Sequence, residues 1–159
     1  MKKLLAMMMA FALLSGCATG VERAEKRALK AAQVATSLAS RHYKVDVRMM
    51  YPLRGKASHV NGSYSLEVKG DTLMSYLPYF GRAYSLPYGG GKGLNFTETI
   101  GRYESATDEK GRTQVAIVVN NGEDVFTYML EVYDNGSATI DVYARERESI
   151  RFSGELVTD

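Results

Sequence analysis

Five acidic residues fall on segments that read as strands, and they are the nearest approach to catalytic chemistry in this sequence. They are Glu67, Glu98, Glu131, Asp141 and Glu155. Two carboxylates that face each other across a cleft can serve a hydrolase as acid and base. Carboxylates at alternating strand positions more often form the solvated face of a half-exposed sheet. We favour that second interpretation and predict a protein that is not an enzyme, with no catalytic residues.

Other reactive residue types are too few or too scattered to build a metal or nucleophile site. The chain has two histidines, His42 and His59, which lie in different segments. It contains no HExxH, CxxC or Gly-x-Ser-x-Gly pattern. The run GGGKG fails as a phosphate-binding loop, because the Walker pattern needs glycine at Leu86 and serine or threonine at Gly93. We therefore expect no metal and no cofactor.

The only cysteine ends a pattern that is typical of bacterial lipoproteins. Two lysines at 2–3 precede an apolar run over 4–14, and the sequence LSGC at 14–17 resembles a lipobox. The apolar run is short for a transmembrane helix, which needs about 20 residues, and it fits a secretory signal. In lipoproteins the cysteine thiol receives a diacylglyceryl group, the preceding peptide is removed and the new amine is acylated.

The lipobox resemblance defines the expected processing and location. We predict a removed signal peptide over 1–16 and a lipidated Cys17 that begins a short tether over 17–20. Several acyl chains anchor a protein stably without spanning the bilayer. The expected location is the cell envelope, on the outer membrane and facing the periplasm.

Removal of the signal peptide would also leave the chain near neutrality. The whole chain has 20 basic and 18 acidic side chains, a formal net charge of +2. Residues 1–16 contain two lysines and no acid, so the processed chain would carry equal numbers of each sign. A neutral chain lacks the basic field that nucleic acids require, and we exclude nucleic acid as a partner.

Residues 21–159 read as a single globular domain. Residues 21–42 contain no glycine or proline and are rich in alanine and charged residues, which predicts a helix whose later half packs on a sheet. After Tyr43 the apolar residues recur at every second position, the period of half-buried strands. The predicted strands, together covering 45–157, are 45–51, 60–69, 72–77, 94–105, 113–120, 125–133, 137–144 and 149–157.

The connections between these strands determine the predicted fold. KGD, DEKG, NNGED and DNG separate neighbouring strands and supply the asparagine and glycine of tight hairpins. Hairpin-length connections make neighbouring strands antiparallel. We predict a mainly β (α+β) protein, an antiparallel meander of about eight strands curled into a half-barrel or barrel with the helix packed on it. A two-sheet sandwich is the alternative.

Three motifs are distinctive: YLPYFGRA at 76–83, GLNF at 93–96 and YDNGSATIDVYARERESIRFSGEL at 133–156. They resemble those of domain-of-unknown-function family 4251. The resemblance covers roughly 25–157. It implies a small secreted or lipid-anchored protein of Gram-negative bacteria with an undetermined function, and it transfers no catalytic residues.

The irregular segment 78–93 is the candidate contact surface. Pro78 interrupts any central strand ladder, and a loop of this length in a small domain is often functional. We expect Tyr79 and Phe80 to fold inward as a core plug, with Arg82 paired to a strand carboxylate. The residues beyond them should form an exposed rim. The candidate residues for contact with a ligand or partner are Tyr79, Arg82, Tyr84, Tyr88 and Lys92.

Three functions compete. We favour a non-enzymatic binding or interaction module on the envelope, contacting an envelope protein. The alternative is a carrier that holds a small apolar ligand or lipid in its curled sheet, which an open cavity lined by Tyr64, Tyr76 and Tyr128 would favour. A filled barrel with exposed Tyr84 and Tyr88 would favour the interaction module. A carboxylate-dependent hydrolase is the least favoured.

Overall fold

The computed structural model describes residues 2–85 and 91–158, with side chains from Gly20 onward. These residues form one helix and nine strands. The helix is α1 (Lys2–Ala39). The strands are β1 (His42–Pro52), β2 (Ser58–His59), β3 (Ser65–Lys69), β4 (Thr72–Leu77), β5 (Leu94–Thr107), β6 (Thr113–Asn120), β7 (Val125–Val132), β8 (Ser137–Ala144) and β9 (Ile150–Leu156).

The strands form one antiparallel sheet that closes into a barrel. β1 and β3 to β9 follow each other in sequence order around the sheet, and β2 pairs with Met49 and Met50 near the end of β1. The barrel closes because β1 also pairs with β9, from Val45 opposite Leu156 to Pro52 opposite Ile150. The predicted antiparallel barrel with an N-terminal helix is confirmed, and the sandwich alternative is wrong because one continuous sheet supplies all the strands.

Packed side chains fill the barrel interior. Strands such as β6 alternate buried and less buried positions, and Val115, Ile117 and Val119 of β6 point inward. Tyr128 is fully buried, and its hydroxyl donates to Ser75 Oγ at 3.0 Å, which in turn donates to the carbonyl of Leu94 at 2.7 Å. This chain satisfies the polar atoms that burial would otherwise penalise. Burial raises the pKa of the Tyr128 hydroxyl well above its usual range.

The barrel has two ends that differ in construction. The helix end contains α1 and the turns around 70–71, 108–112 and 133–136. The loop end contains 53–64, residues 78–85 and 91–93, the 121–124 turn and the 145–149 loop. This division follows from the antiparallel pairing, because alternate strand connections fall at the same end.

Helix α1 covers the helix end with a short apolar stripe. Val34 and Leu38, one turn apart, are buried in the same core cluster as the barrel interior. Lys30 Nζ donates to Glu155 Oε1 at 2.6 Å and holds the pKa of Glu155 below its usual value. Within the described residues, no helix has both the length and the hydropathy that crossing a bilayer requires.

The sequence-based element boundaries were accurate for the strands and less so elsewhere. The predictions for β4, β6 and β8 are confirmed at both ends. The helix ends at Ala39 rather than near 42, because Arg41 adopts a left-handed φ of 53°. The strand predicted over 60–69 begins only at Ser65, and the two-residue β2 before it was missed.

Candidate functional site

In the part of the chain that the structure describes, the three tyrosines that a carrier would use do not face one common cavity. Tyr128 is part of the filled core. Tyr64 and Tyr76 instead stack on each other, with ring centroids 5.0 Å apart and planes at 21°. Tyr76 is 53% exposed on the outer face of β4. These three rings therefore line no common pocket.

Four of the five strand carboxylates pair with basic side chains on the outer surface. A carboxylate neutralised in this way on a half-exposed sheet matches the interpretation we favoured for these residues. The pairs are Glu67 with Lys69, Glu131 with Arg112, Asp141 with Arg151, and Glu155 with Lys30 and Arg48. Among the described side chains, no three histidines, cysteines or carboxylates are grouped as metal ligands.

The loop end contains a group of buried charges that the sequence analysis missed. We call it the ionic cluster, and it consists of Glu123, Asp124, Arg147 and Glu148. Asp124, Arg147 and Glu148 are 7%, 6% and 5% exposed. Charged residues are almost never buried unless they are paired, so their position requires a structural reason.

Asp124 joins the 121–124 turn to the 145–149 loop. Its carboxylate accepts hydrogen bonds from the backbone N–H groups of Val125 at 2.7 Å, Arg145 at 3.1 Å and Glu146 at 3.1 Å. Asn121 shapes the turn itself, because its side-chain oxygen accepts from the N–H groups of Glu123 and Asp124, both at 2.9 Å. One carboxylate therefore fixes the backbone of two loops.

Arg147 lies at the centre of the ionic cluster. Its guanidinium is 3.7 Å from Glu123 Oε2 through Nη2 and 3.9 Å from Asp124 Oδ2 through Nε. The same group stands 5.6 Å from the centre of the Tyr79 ring and 6.0 Å from that of Phe126. Arg147 Nε is buried without a hydrogen-bond acceptor among the described residues. The positive charge of the buried guanidinium is therefore balanced mainly by these two carboxylates and by the faces of these two rings.

The first part of the 78–93 segment is attached to the 145–149 loop through its backbone. Tyr84 N donates to the Glu146 carbonyl at 2.7 Å, and Glu148 N donates to the Arg82 carbonyl at 3.0 Å. The Tyr79 hydroxyl lies 3.0 Å from the carbonyl oxygens of both Arg82 and Glu148. Burial raises the pKa of this hydroxyl, which keeps it protonated as a donor.

The far part of the segment is attached to the same cluster from the other side. Lys92 N donates to the Glu123 carboxylate, 3.0 Å from Oε2. Gly91 passes so close that a Cβ there would lie 2.7 Å from both Arg147 Nη2 and Glu123 Oε2. The ionic cluster thus holds both described parts of the segment against the barrel.

The structure separates the predicted contact residues into inner and outer ones. Tyr79 is half-buried and packs against the core, as expected of a plug. Tyr84 is 68% exposed, and Lys92 is exposed as well. Tyr88 lies outside the described residues. A contact role for each of these residues stays a prediction.

Two expectations about this segment are wrong. Phe80 is 63% exposed instead of buried. The Tyr79 hydroxyl turns inward to reach two carbonyls, and the following side chain then points to the other side of the extended chain. Arg82 was expected to pair with a strand carboxylate, but its backbone N–H donates to Glu148 Oε2 at 3.1 Å, and its guanidinium forms no ion pair within the described parts of the chain.

Sequence reasoning missed the ionic cluster because its members looked like ordinary turn residues. NNGED is polar and contains glycine, whereas ARERES is highly charged. Both compositions normally indicate solvated loops. The available signal was the pairing of two such strings at the same predicted end of the sheet, next to the aromatic segment.

Comparisons with known proteins agree with this fold. The family model described as "Domain of unknown function (DUF4251)" matches residues 25–156. The chain is also similar to the crystal structure of a DUF4251 family protein from Bacteroides eggerthii, with a TM-score of 0.62 and 14% sequence identity over 82% of this chain and 88% of that one. The search of curated proteins finds no match.

Proposed function

Because this chain belongs to DUF4251, a family of domains of unknown function, we propose its role from its own geometry. It is a lipid-anchored protein of the cell envelope that binds a partner, without catalysis, through the loop end of its barrel. The observation that carries this proposal is a pair of exposed aromatic side chains, Phe80 and Tyr84, on a backbone that the ionic cluster holds in place.

Exposed aromatic side chains on an ordered backbone suit recognition. Aromatic residues are enriched at protein interfaces, and a segment that is already ordered loses little further entropy on binding. Leu53, also at the loop end, is 61% exposed and extends the apolar surface. The described side chains that point into the barrel are closely packed, which supports binding at the surface over carriage of a ligand inside.

The lipobox supports the anchoring part of the proposal. Helix α1 includes position 17 and continues without a break to the helix end of the barrel. The loop end lies at the opposite end, so an anchor at Cys17 and a contact surface at Tyr84 would not compete for the same side of the domain. The Cys17 side chain lies outside the described side chains, and its lipidation is a proposal.

Metabolic labelling tests the anchor. Cells given a clickable fatty-acid analogue should label the wild-type chain, and Cys17→Ala should abolish that label while the unprocessed chain accumulates. A Ser15→Ala control, which keeps the lipobox cysteine, should still be labelled. A label that survives Cys17→Ala contradicts the lipid anchor.

Site-specific photo-crosslinking tests the contact surface. A photoreactive phenylalanine analogue in place of Tyr84 should yield a discrete crosslinked product in intact cells. Tyr143 is 49% exposed on the outer face of β8 and provides the matched control. Equal crosslinking at the two positions would contradict a partner surface at the loop end.

A further inference from the structure

A groove at the loop end lies next to Phe80 and has a defined chemical character. Its volume is about 500 Å³, within the range of sites that hold small ligands. One wall is the β2 region and the other is the segment from Pro78 to Gly81. We call it the β2 groove.

The floor and walls of the β2 groove are apolar. Met50 is buried, and Pro52 and Val60 beside it are half-buried. Tyr64 and Phe80 add aromatic rings to the walls. The exposed ring of Phe80 is therefore part of the groove wall. Side chains that enter the groove can pack against that ring.

The rim of the β2 groove is basic. Arg54, Lys56 and His59 line it, and none of its lining residues is acidic. Arg54 Nε lies 3.2 Å from the buried carboxylate of Glu148, which neutralises part of this charge. Lys56 is exposed and forms none of the ion pairs found among the described residues. Lys56 thus keeps its positive charge for an anionic occupant.

One wall of the groove is an unpaired strand edge. β2 pairs with β1 alone. Met50 pairs with Ser58, and Val60 N donates to the Arg48 carbonyl at 3.0 Å, so the backbone groups of residues 58 and 60 face β1. Backbone groups alternate in direction along a strand, and those of His59 therefore face away from β1, toward the open side.

We propose that the β2 groove binds an extended, acidic segment of a partner protein. A peptide can pair its backbone with the free edge at His59, as in β-strand addition, while alternate side chains enter the apolar floor and acidic ones meet Lys56. An anionic lipid headgroup or an acidic glycan would match the charge but offers no peptide backbone to a strand edge. This inference rests on the proposed function and names the chemistry of its partner.

Selection from a displayed library of short linear peptides tests the inference. The bait is the full chain purified in detergent. Peptides that bind should contain more aspartate and glutamate than the starting library, and their affinity should fall as salt rises. Selected peptides without an acidic excess would overturn the inference, as would a selection that enriches none.

A charge-reversal pair locates the binding. Lys56→Glu should weaken the best selected peptide by about tenfold, because an attractive charge contact becomes a repulsive one. Lys110→Glu makes the same change in an exposed turn at the helix end and should leave the affinity unchanged. Both positions are exposed, so the variants should fold, and circular dichroism checks this. Equal affinity of wild type and Lys56→Glu would overturn the assignment to this groove.

Two further measurements distinguish a lipid headgroup from a peptide in the groove, and failure of the acidic-peptide inference from failure of the proposed partner surface. Phosphatidylglycerol vesicles that bind through Lys56, in the absence of peptide binding, would make the groove a headgroup site and overturn the inference. The Tyr84 crosslink then decides whether the wider proposal survives. If that crosslink persists, only the acidic peptide is wrong. If it falls to the level of Tyr143, the partner surface fails as well.

Discussion

The two ends of the barrel are closed by different means. At the helix end, the apolar side chains of Val34 and Leu38 join the interior core, and the strands return through short glycine-containing turns. At the loop end, longer segments converge on the ionic cluster around Arg147. Apolar burial is tolerant of small rearrangements, whereas a buried charge requires its partners at fixed positions.

This difference explains how an irregular segment can be ordered without entering the core. The described parts of this segment, 78–85 and 91–93, place little apolar surface inside the barrel, since only Tyr79 among their aromatic residues packs on the core. These parts are held by hydrogen bonds to Glu123, Glu146 and Glu148 instead. Aromatic side chains such as Phe80 and Tyr84 are then free to remain outside, where a partner can reach them.

The largest expected effect comes from removing the carboxylate that joins the two loops. Asp124→Ala leaves three buried backbone N–H groups without their acceptor and removes one of the two carboxylates that lie near the buried Arg147 guanidinium. Breaking a buried ion pair of this kind lowers the free energy of unfolding by about 3–5 kcal/mol. Urea denaturation followed by circular dichroism measures the loss.

Asp141→Ala is the matched control for this change. Its carboxylate binds Arg151 at 2.6 Å on the outer face of β8, where solvent screens the pair. Exposed pairs contribute up to about 1 kcal/mol, so the control should lose far less stability than Asp124→Ala. Similar losses in the two variants would mean that the ionic cluster does not hold the loop end together.

A smaller effect is expected at the helix end, where the backbone of a turn is the sensitive feature. Gly136 has a φ of +85°, and a Cβ there would lie 3.0 Å from Lys30 Cε, the end of a flexible side chain. Gly136→Val should lower the free energy of unfolding by about 1–3 kcal/mol, because a β-branched residue is strained at positive φ. Thermal and urea unfolding both report this loss.

Gly136→Asn distinguishes backbone strain from crowding. Both substitutions place a Cβ near Lys30, but asparagine tolerates the left-handed region better than valine does. The asparagine variant should therefore retain most of the stability. If the two variants are equally destabilised, contact with Lys30 rather than φ determines the cost, and the turn at the helix end is less restrictive than its geometry implies.

The local features of the fold were predictable from the sequence, and its long-range features were not. The pattern of apolar residues located β4, β6 and β8, and the glycines of the predicted hairpin turns NNGED and DNG, Gly122 and Gly136, do have positive φ. Barrel closure depends on Val45 meeting Leu156 from the other end of the chain. No local pattern encodes that pairing, so the sequence could not separate a barrel from a sandwich.

The candidate site was predictable only in outline. The length of the 78–93 segment and its aromatic content indicated a surface of interest, and Tyr84 and Lys92 are indeed exposed. The burial of Asp124 and Arg147 arises because two distant turns meet at the loop end. The Phe80 error came from treating an apolar side chain as a buried one, although much of every folded protein's surface is apolar.

The smallest expected effect on stability belongs to Phe80, and it separates order from contact at the loop end. Because its side chain is 63% exposed, Phe80→Ala should change the free energy of unfolding by no more than about 0.5 kcal/mol. Tyr143→Ala, another exposed aromatic truncation, should change it equally little. The two variants should differ in partner binding, since Phe80 lines the β2 groove and Tyr143 lies on the outer face of β8. Unfolding midpoints and the yield of the Tyr84 crosslink, measured in both variants, check this prediction.

A loss of several kcal/mol in Phe80→Ala would place that ring in the core and remove the distinction between the two ends. A crosslink unchanged in both variants would leave the loop end ordered but assign the contact to Tyr84 without Phe80.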